Sequence, residues 1–236
     1  MDYLVDIIAK RIAGDIIWSK NPGASMRKWR ETFQVSQGEL AKEMGISQSV
    51  IADYERNRRQ PGAEFLRNYI RALIEIDSRR DYKIVKELAS AFNLSFPFVE
   101  DMRDFPRPVT VDEVVKAVDG IIPVGEVDPF TKIYGYLITD SIKTITALSG
   151  MEYYQLLALA LGRVFVFTKV SSGRSPMVAI KLAPIKPKVI VLHRPINIDP
   201  LALRLAEVEK INLIISTKPS EEDLINGLKR LLSSLS

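Results

Sequence analysis

The chain has 236 residues, 47% of them hydrophobic and 26% charged, with 12 Gly and 13 Pro, the balance of a folded globular protein and not of a disordered or collagen-like one. It contains no cysteine, which excludes disulfide frameworks, cysteine-ligated zinc, iron–sulfur clusters and thiol nucleophiles, and fits a reducing cytoplasm. Its formal charge of +4 lies in residues 20–71, where ten Lys or Arg face six Asp or Glu while the remainder balances at 23 of each; such a segment either meets a polyanion or is a solvated basic face.

Residues 2–18 set Leu4, Ile8, Ile12 and Ile16 at helical spacing and predict an amphipathic helix. Asp2 and Asp6 sit among its first apolar residues, unlike a secretory signal. The turn-forming run Asn21-Pro22-Gly23 follows, and Ser25 is placed to cap a second helix to about residue 33. Ser36 with Glu39 three residues later predicts a capping box opening a third helix, which Gly45 ends; Ser47 caps a fourth to about residue 56. A basic turn spans 57–62, and a fifth helix is expected over about 64–77.

Residues 81–118 read as a helical linker broken near Pro97 and Pro106. From about 120 the pattern changes to short β-rich runs at 133–139, 163–168, 177–182, 188–192 and 211–216, interleaved with helical patterns near 141–148, 151–161, 199–210 and 220–234. The most apolar stretch, 156–167, is too short to span a bilayer and contains Arg163. The expected organisation is an N-terminal amphipathic helix (1–24), a helical domain (25–80), a helical linker (81–120) and an α/β domain (121–236). No membrane partner is expected.

The most specific signal is Gln37 to Glu55, QGELAKEMGISQSVIADYE. Two short helices joined by a tight turn need apolar facing sides, here Leu40, Met44, Ile46, Ile51 and Tyr54; a small contact residue, Ala41; and a glycine for the turn, Gly45. With Arg30 seven residues before Gln37 and the Arg-Asn-Arg-Arg run before Pro61, the segment from Met26 to Ile76 resembles the Cro/phage-repressor (XRE-type) helix-turn-helix family. That resemblance implies an all-helical domain binding double-stranded DNA, with Arg30 and Glu55 paired to fasten the first helix to the recognition helix.

The resemblance makes residues 47–56 the recognition helix, with its N-terminal residues Ser47, Gln48 and Ser49 facing base edges in the major groove. Gln48 can offer its amide bidentately to adenine. Asp53 suits a cytosine amino group or is a structural acid. Gln37 matches the position that bonds a phosphate and braces the recognition helix. Arg56, Asn57, Arg58 and Arg59 form a loop suited to phosphate contacts, the alternative being a solvated turn. One such module buries too little surface to select a genomic site, so a homodimer reading half-sites about 34 Å apart is expected.

The whole chain is also similar to a predicted archaeal transcription-regulator family in which this domain precedes an α/β domain. The stretches that carry the similarity are RKWRE at 27–31, DYERNRR at 53–59, GRSPMVAI at 173–180 and KVIVLHRP at 188–195. In the α/β part, polar groups just after strands are Asp140 and Ser141, the loop Ser171-Ser172-Gly173-Arg174-Ser175, and His193 with Arg194. Open α/β sheets bind ligands at that edge, so these residues are candidates for a small anionic effector. The alternatives are a plain connection for the loop and a structural role for the single His.

Neither GxGxxG nor GxxxxGK[ST] occurs, and no nucleophile–base pair or metal-ligand cluster is visible. No cofactor, metal or catalytic residue is assigned. The favoured reading is a dimeric DNA-binding transcription regulator. A bridging coactivator touching the transcription machinery, or an enzyme of a phosphorylated metabolite, are the alternatives.

Overall fold

Apolar side chains at helical spacing organise the first part of the chain in the computed structural model, which describes residues 2–94, 96, 98–125 and 127–235. The chain divides into two compact units, Met1–Ser95 and Phe96–Ser236. The first is helical: α1 (Asp2–Trp18), α2 (Pro22–Thr32), α3 (Gln37–Glu43), α4 (Gln48–Glu55), α5 (Ala63–Ser78) and α6 (Lys83–Ala91). Ile8, Ile12 and Ile16 of α1, one turn apart, are fully buried, and α1 packs on α2, α5 and α6.

Several boundaries differ from the sequence expectation. The cap of α2 is Asn21, whose side chain accepts from Ala24 N at 2.9 Å. Pro22 fills the first helical position, where a missing N–H costs nothing, so the helix begins before Ser25. Ser36 does cap α3, accepting from Glu39 N at 3.1 Å. Glu39 does not complete the box; its carboxylate pairs with Arg80 at 2.9 Å. Ser47 makes no capping bond either, because its hydroxyl contacts that of Ser49 at 2.9 Å. Gly45, at φ 65°, turns the chain so that Ile46 N–H returns to the Ala41 carbonyl at 3.0 Å.

The helical linker expected over 81–120 is corrected. Its first part, α6, buries Ile84, Val85 and Ala89 within the first unit. Asp77, 2% exposed, fixes its start by accepting from Ile84 N (3.1 Å) and Val85 N (2.9 Å). Beyond it, β1 (Val99–Val109) is a strand. Pro106 and Pro108 would break a helix, and an edge strand tolerates prolines; the pairing slips between Asp104 and Val109, around those prolines. Pro97 lies outside the described residues.

The second unit continues with α7 (Val111–Ala117), β2 (Gly120–Ile121), β3 (Ile133–Asp140), α8 (Ser141–Ala147), α9 (Gly150–Leu159), β4 (Val164–Thr168), α10 (Arg174–Leu182), β5 (Val189–His193), α11 (Pro200–Glu209), β6 (Asn212–Ser216) and α12 (Glu221–Ser233). The stretch 177–182, expected as a strand, lies in α10: Met177 and Ile180 are buried while Val178 is exposed, and a short apolar run does not separate helix from strand by period alone. The sheet order is β1-β3-β4-β5-β6-β2, with β3 to β6 parallel and both edges antiparallel.

Side chains alternate across the sheet. Ile138, Val164, Val166, Val191 and Ile214 meet Val114 and Val118 of the α7 region and Leu224 and Leu228 of α12. Phe165, Phe167, Ile190 and Leu192 therefore point to the other face, where right-handed crossovers place α8 to α11. Gly173 permits close packing there: at φ 75°, a Cβ would lie 2.4 Å from Leu192 Cδ1. The architecture is thus a helical N-terminal unit followed by an α/β unit.

Because Asp77 satisfies two buried first-turn amides, Asp77→Ala should destabilise the protein by about 2 kcal/mol. A urea titration following helical circular dichroism measures this; an unchanged midpoint would show that the cap contributes nothing.

Candidate nucleic-acid interface

Glu55, the last residue of α4, has a side chain only 2% exposed and gathers donors from two other helices. Arg30 of α2 donates through Nε to Oε1 (2.6 Å) and through Nη2 to Oε2 (2.9 Å), while its Nη1 reaches the Val35 carbonyl at 2.9 Å. Gln37, at the start of α3, donates Nε2 to Glu55 Oε2 at 2.8 Å. A bidentate guanidinium–carboxylate contact fixes distance and angle together. The Glu55 carboxylate in turn holds the Arg30 guanidinium above its ordinary pKa. One carboxylate therefore sets the relative positions of α2, α3 and α4.

Two further contacts reinforce this. Tyr69 of α5 donates its hydroxyl to the Met26 carbonyl at 2.8 Å, and burial pushes that phenol far up. Tyr54 stacks on Phe65 with ring centroids 3.8 Å apart. Gly23 lets α2 approach the end of α4, since a Cβ would sit 2.3 Å from the Tyr54 carbonyl oxygen. Gly23 N donates to Asn57 Oδ1 at 2.8 Å, and Asn57 Nδ2 donates to Asn21 Oδ1. Asn57, at φ 56°, thus ties the loop after α4 to the turn before α2, a role its place in a basic run did not reveal.

On this frame Ser47, Gln48 and Ser49 are exposed at the start of α4, and Arg56, Asn57, Arg58 and Arg59 are exposed after its end. Asp53 pairs with Arg58 (3.4 Å) and Arg59 (3.9 Å), so it orients two of the loop cations. Among the described residues no ion pair or hydrogen bond engages the Arg56 side chain. Arg56 lines a cleft of about 540 Å³ with Arg27, Arg30, Ser36, Gln37, Gly38, Gln48 and Glu55.

The strand-end candidates of the second unit share the carboxyl edge of β3 to β6. Asp140 caps α8, accepting from Lys143 N at 3.0 Å and from Lys169 Nζ at 2.9 Å. Burial pushes its carboxyl up, but those two donors outweigh burial and hold it below the usual carboxylate value. Ser141 is buried. Arg174 is turned to Asp199 at 3.6 Å, and Ser175 is exposed. The carbonyls of Ser171 and Ser172 accept from Ile196 N (2.8 Å) and Asp199 N (3.0 Å), so that loop is anchored to the chain before α11.

His193 is 6% exposed and lies 3.4 Å from the Ser216 hydroxyl, which donates to the Val118 carbonyl at 2.8 Å. Burial lowers its pKa below 6.5. Sequence reasoning passed over Lys169, at φ 52° directly after a fully buried strand. It also missed Glu100, whose Oε1 accepts from Thr168 Oγ1 at 2.9 Å and whose pKa burial raises, because β1 was read as helix. Among the described residues no group of three His, Cys, Asp or Glu is placed to hold a metal, and no helix is long and apolar enough to cross a membrane.

The family model described as Helix-turn-helix matches residues 26–75. Over almost its full length the chain is similar to an uncharacterized HTH-type transcriptional regulator of Archaeoglobus fulgidus, 37% identical over 226 residues, 94% of this chain and 96% of the relative. A second relative described in the same words, from Methanocaldococcus jannaschii, is 40% identical over 229 residues, 95% of this chain and 94% of that one. No solved structure matches it.

Two outcomes follow from these contacts. Arg30→Met leaves the Glu55 carboxylate buried against Gln37 alone and should cost about 3–5 kcal/mol, whereas Arg30→Met with Glu55→Met should recover a large part of that loss. Equal destabilisation of single and double variants in denaturant titrations would contradict the pairing. Burial holds the folded His193 below its ordinary pKa, so as pH falls through about 6.5 the unfolded chain takes up the proton more readily. Its contribution to stability is therefore complete above that pH and declines below it, by at most about 1.4 kcal/mol per pH unit. Comparing wild type with His193→Asn between pH 5 and 8 isolates this slope, which the variant should lack.

Proposed function

Because the chain belongs to the family of HTH-type transcriptional regulators, we propose that it is a sequence-specific, homodimeric regulator that lays α4 in the major groove of double-stranded DNA. The observation that carries this reading is the buried Arg30–Glu55–Gln37 junction. It holds α4 rigidly while leaving Ser47, Gln48 and Ser49 exposed at its start, where a recognition helix meets base edges. Gln48 reads a base and Arg56, Arg58 and Arg59 meet phosphates. Gln37 braces α4 from within and reaches a phosphate at the cleft it lines. Asn57 shapes the phosphate loop. The ion pairs of Asp53 with Arg58 and Arg59 support the bracing acid over the cytosine reader. A basic loop beside an exposed helix start favours DNA over a bridging contact with a protein.

For the second unit we infer a dimer platform in preference to an anion pocket. Two cations at the carboxyl edge already have carboxylate partners, Lys169 in Asp140 and Arg174 in Asp199, and Arg194 donates to the Pro219 carbonyl. A small anionic effector at Asp140, Ser141, Arg174, Ser175 and His193 would have to displace these contacts.

Fluorescence anisotropy with genomic duplexes across salt concentrations tests the DNA reading. Gln48→Ala should relax preference at one position per half-site by about 1–3 kcal/mol of discrimination. Arg56→Ala should weaken all sequences alike and flatten the salt slope by about one counterion per subunit. If neither change alters DNA affinity, α4 is not the recognition helix.

A further inference from the structure

The two helical layers on the sheet of the second unit have opposite outer surfaces. On the outer face of α12 and α7 no large hydrophobic side chain is exposed, whereas α8 to α11 carry eight of the sixteen exposed among the described residues. They include Ile142 of α8, Met151 and Tyr154 of α9, Leu182 of α10 and Val208 of α11, with Met151 68% and Leu182 73% exposed. The crossovers that follow β3, β4 and β5 put these helices on one face, and α10 packs against both α8 and α11.

At roughly 180 Å² for a fully exposed large side chain, these eight residues present on the order of 750 Å² of apolar surface; a monomer's largest such patch is usually about 300–600 Å², and each partner in a standard interface buries about 800 Å². The charges along the α10–α11 seam are also settled within the chain, since Lys181 and Lys186 both pair with Glu209. A second copy therefore meets no uncompensated like charge there.

We propose that the outer face of α8 to α11 is the homodimer interface, occupied by the same face of a second copy about a two-fold axis. A two-fold interface uses one patch twice, and this patch has the area and the internal charge balance that self-association needs. The assignment rests on the dimeric reading above and specifies where that dimer forms.

Sedimentation of the full-length protein at micromolar concentration, with Val178→Glu and Leu182→Glu combined, tests it. The wild type should be a dimer and the double variant should dissociate about 100-fold more readily, with its circular dichroism unchanged because both positions are exposed. A wild-type dimer that the double variant leaves intact overturns this interface and keeps the dimer. A wild type that is monomeric with and without DNA overturns the dimer itself. The chain has no cysteine, so Leu182→Cys introduces a single reporter thiol even if the charged variant misfolds. Its maleimide labelling should slow at least about tenfold at concentrations that support the dimer, because interface cores exclude solvent; equal rates across the monomer–dimer range overturn the proposal.

Discussion

The geometry of the helix-turn-helix unit depends on one buried carboxylate. Glu55 ends α4 and is bonded by Arg30 from α2 and by Gln37 from α3. A short helix of eight residues has little stability of its own, so its orientation must come from tertiary contacts. Apolar packing through Leu40 and Ile51 supplies adhesion without direction. The bidentate pair adds direction, because a planar guanidinium and a carboxylate meet well in few arrangements. The same contacts keep the two side chains out of water, where an uncompensated charge would be costly.

The second unit is built on a different principle. Four parallel strands are covered on both faces, so nearly every residue of β3 to β6 is buried and solvent meets chiefly the helices and the edge strands. Function in such a unit resides either at the strand ends or on the outer faces of the helices. At the ends, Asp140, Lys169, Arg174 and Asp199 neutralise one another, and His193 is fixed by Ser216. On the outside, the layer of α8 to α11 is apolar where that of α7 and α12 is not. That contrast is what the proposed self-association rests on.

Much of this was legible in the chain itself. Gln37 to Glu55 announces its two helices through Ala41, Gly45 and the apolar spacing, since those residue types are what a tight bihelical turn requires. Arg30 and Glu55 were matched through resemblance. What local pattern failed to show was β1, whose prolines suit either a broken helix or an edge strand, and α10, where Met177 and Ile180 fit either period. Glu100 and Lys169 were hidden for the same reason: a charged residue's partner across a sheet depends on strand order.

Periodicity, caps and turn residues act over a few positions, and by themselves they determined the helical first unit, the basic loop after α4 and the α/β character of the rest. Tertiary structure alone decided that Asn57 braces the turn before α2, that Asp53 serves its neighbouring arginines, that β1 joins the sheet edge beside β3, and that one helical layer is left with an uncovered apolar face. The Asp53 contacts span only five and six positions but cross the end of α4, where helical spacing gives no guide; the others depend on residues distant in sequence meeting in space, and no short-range preference encodes that meeting.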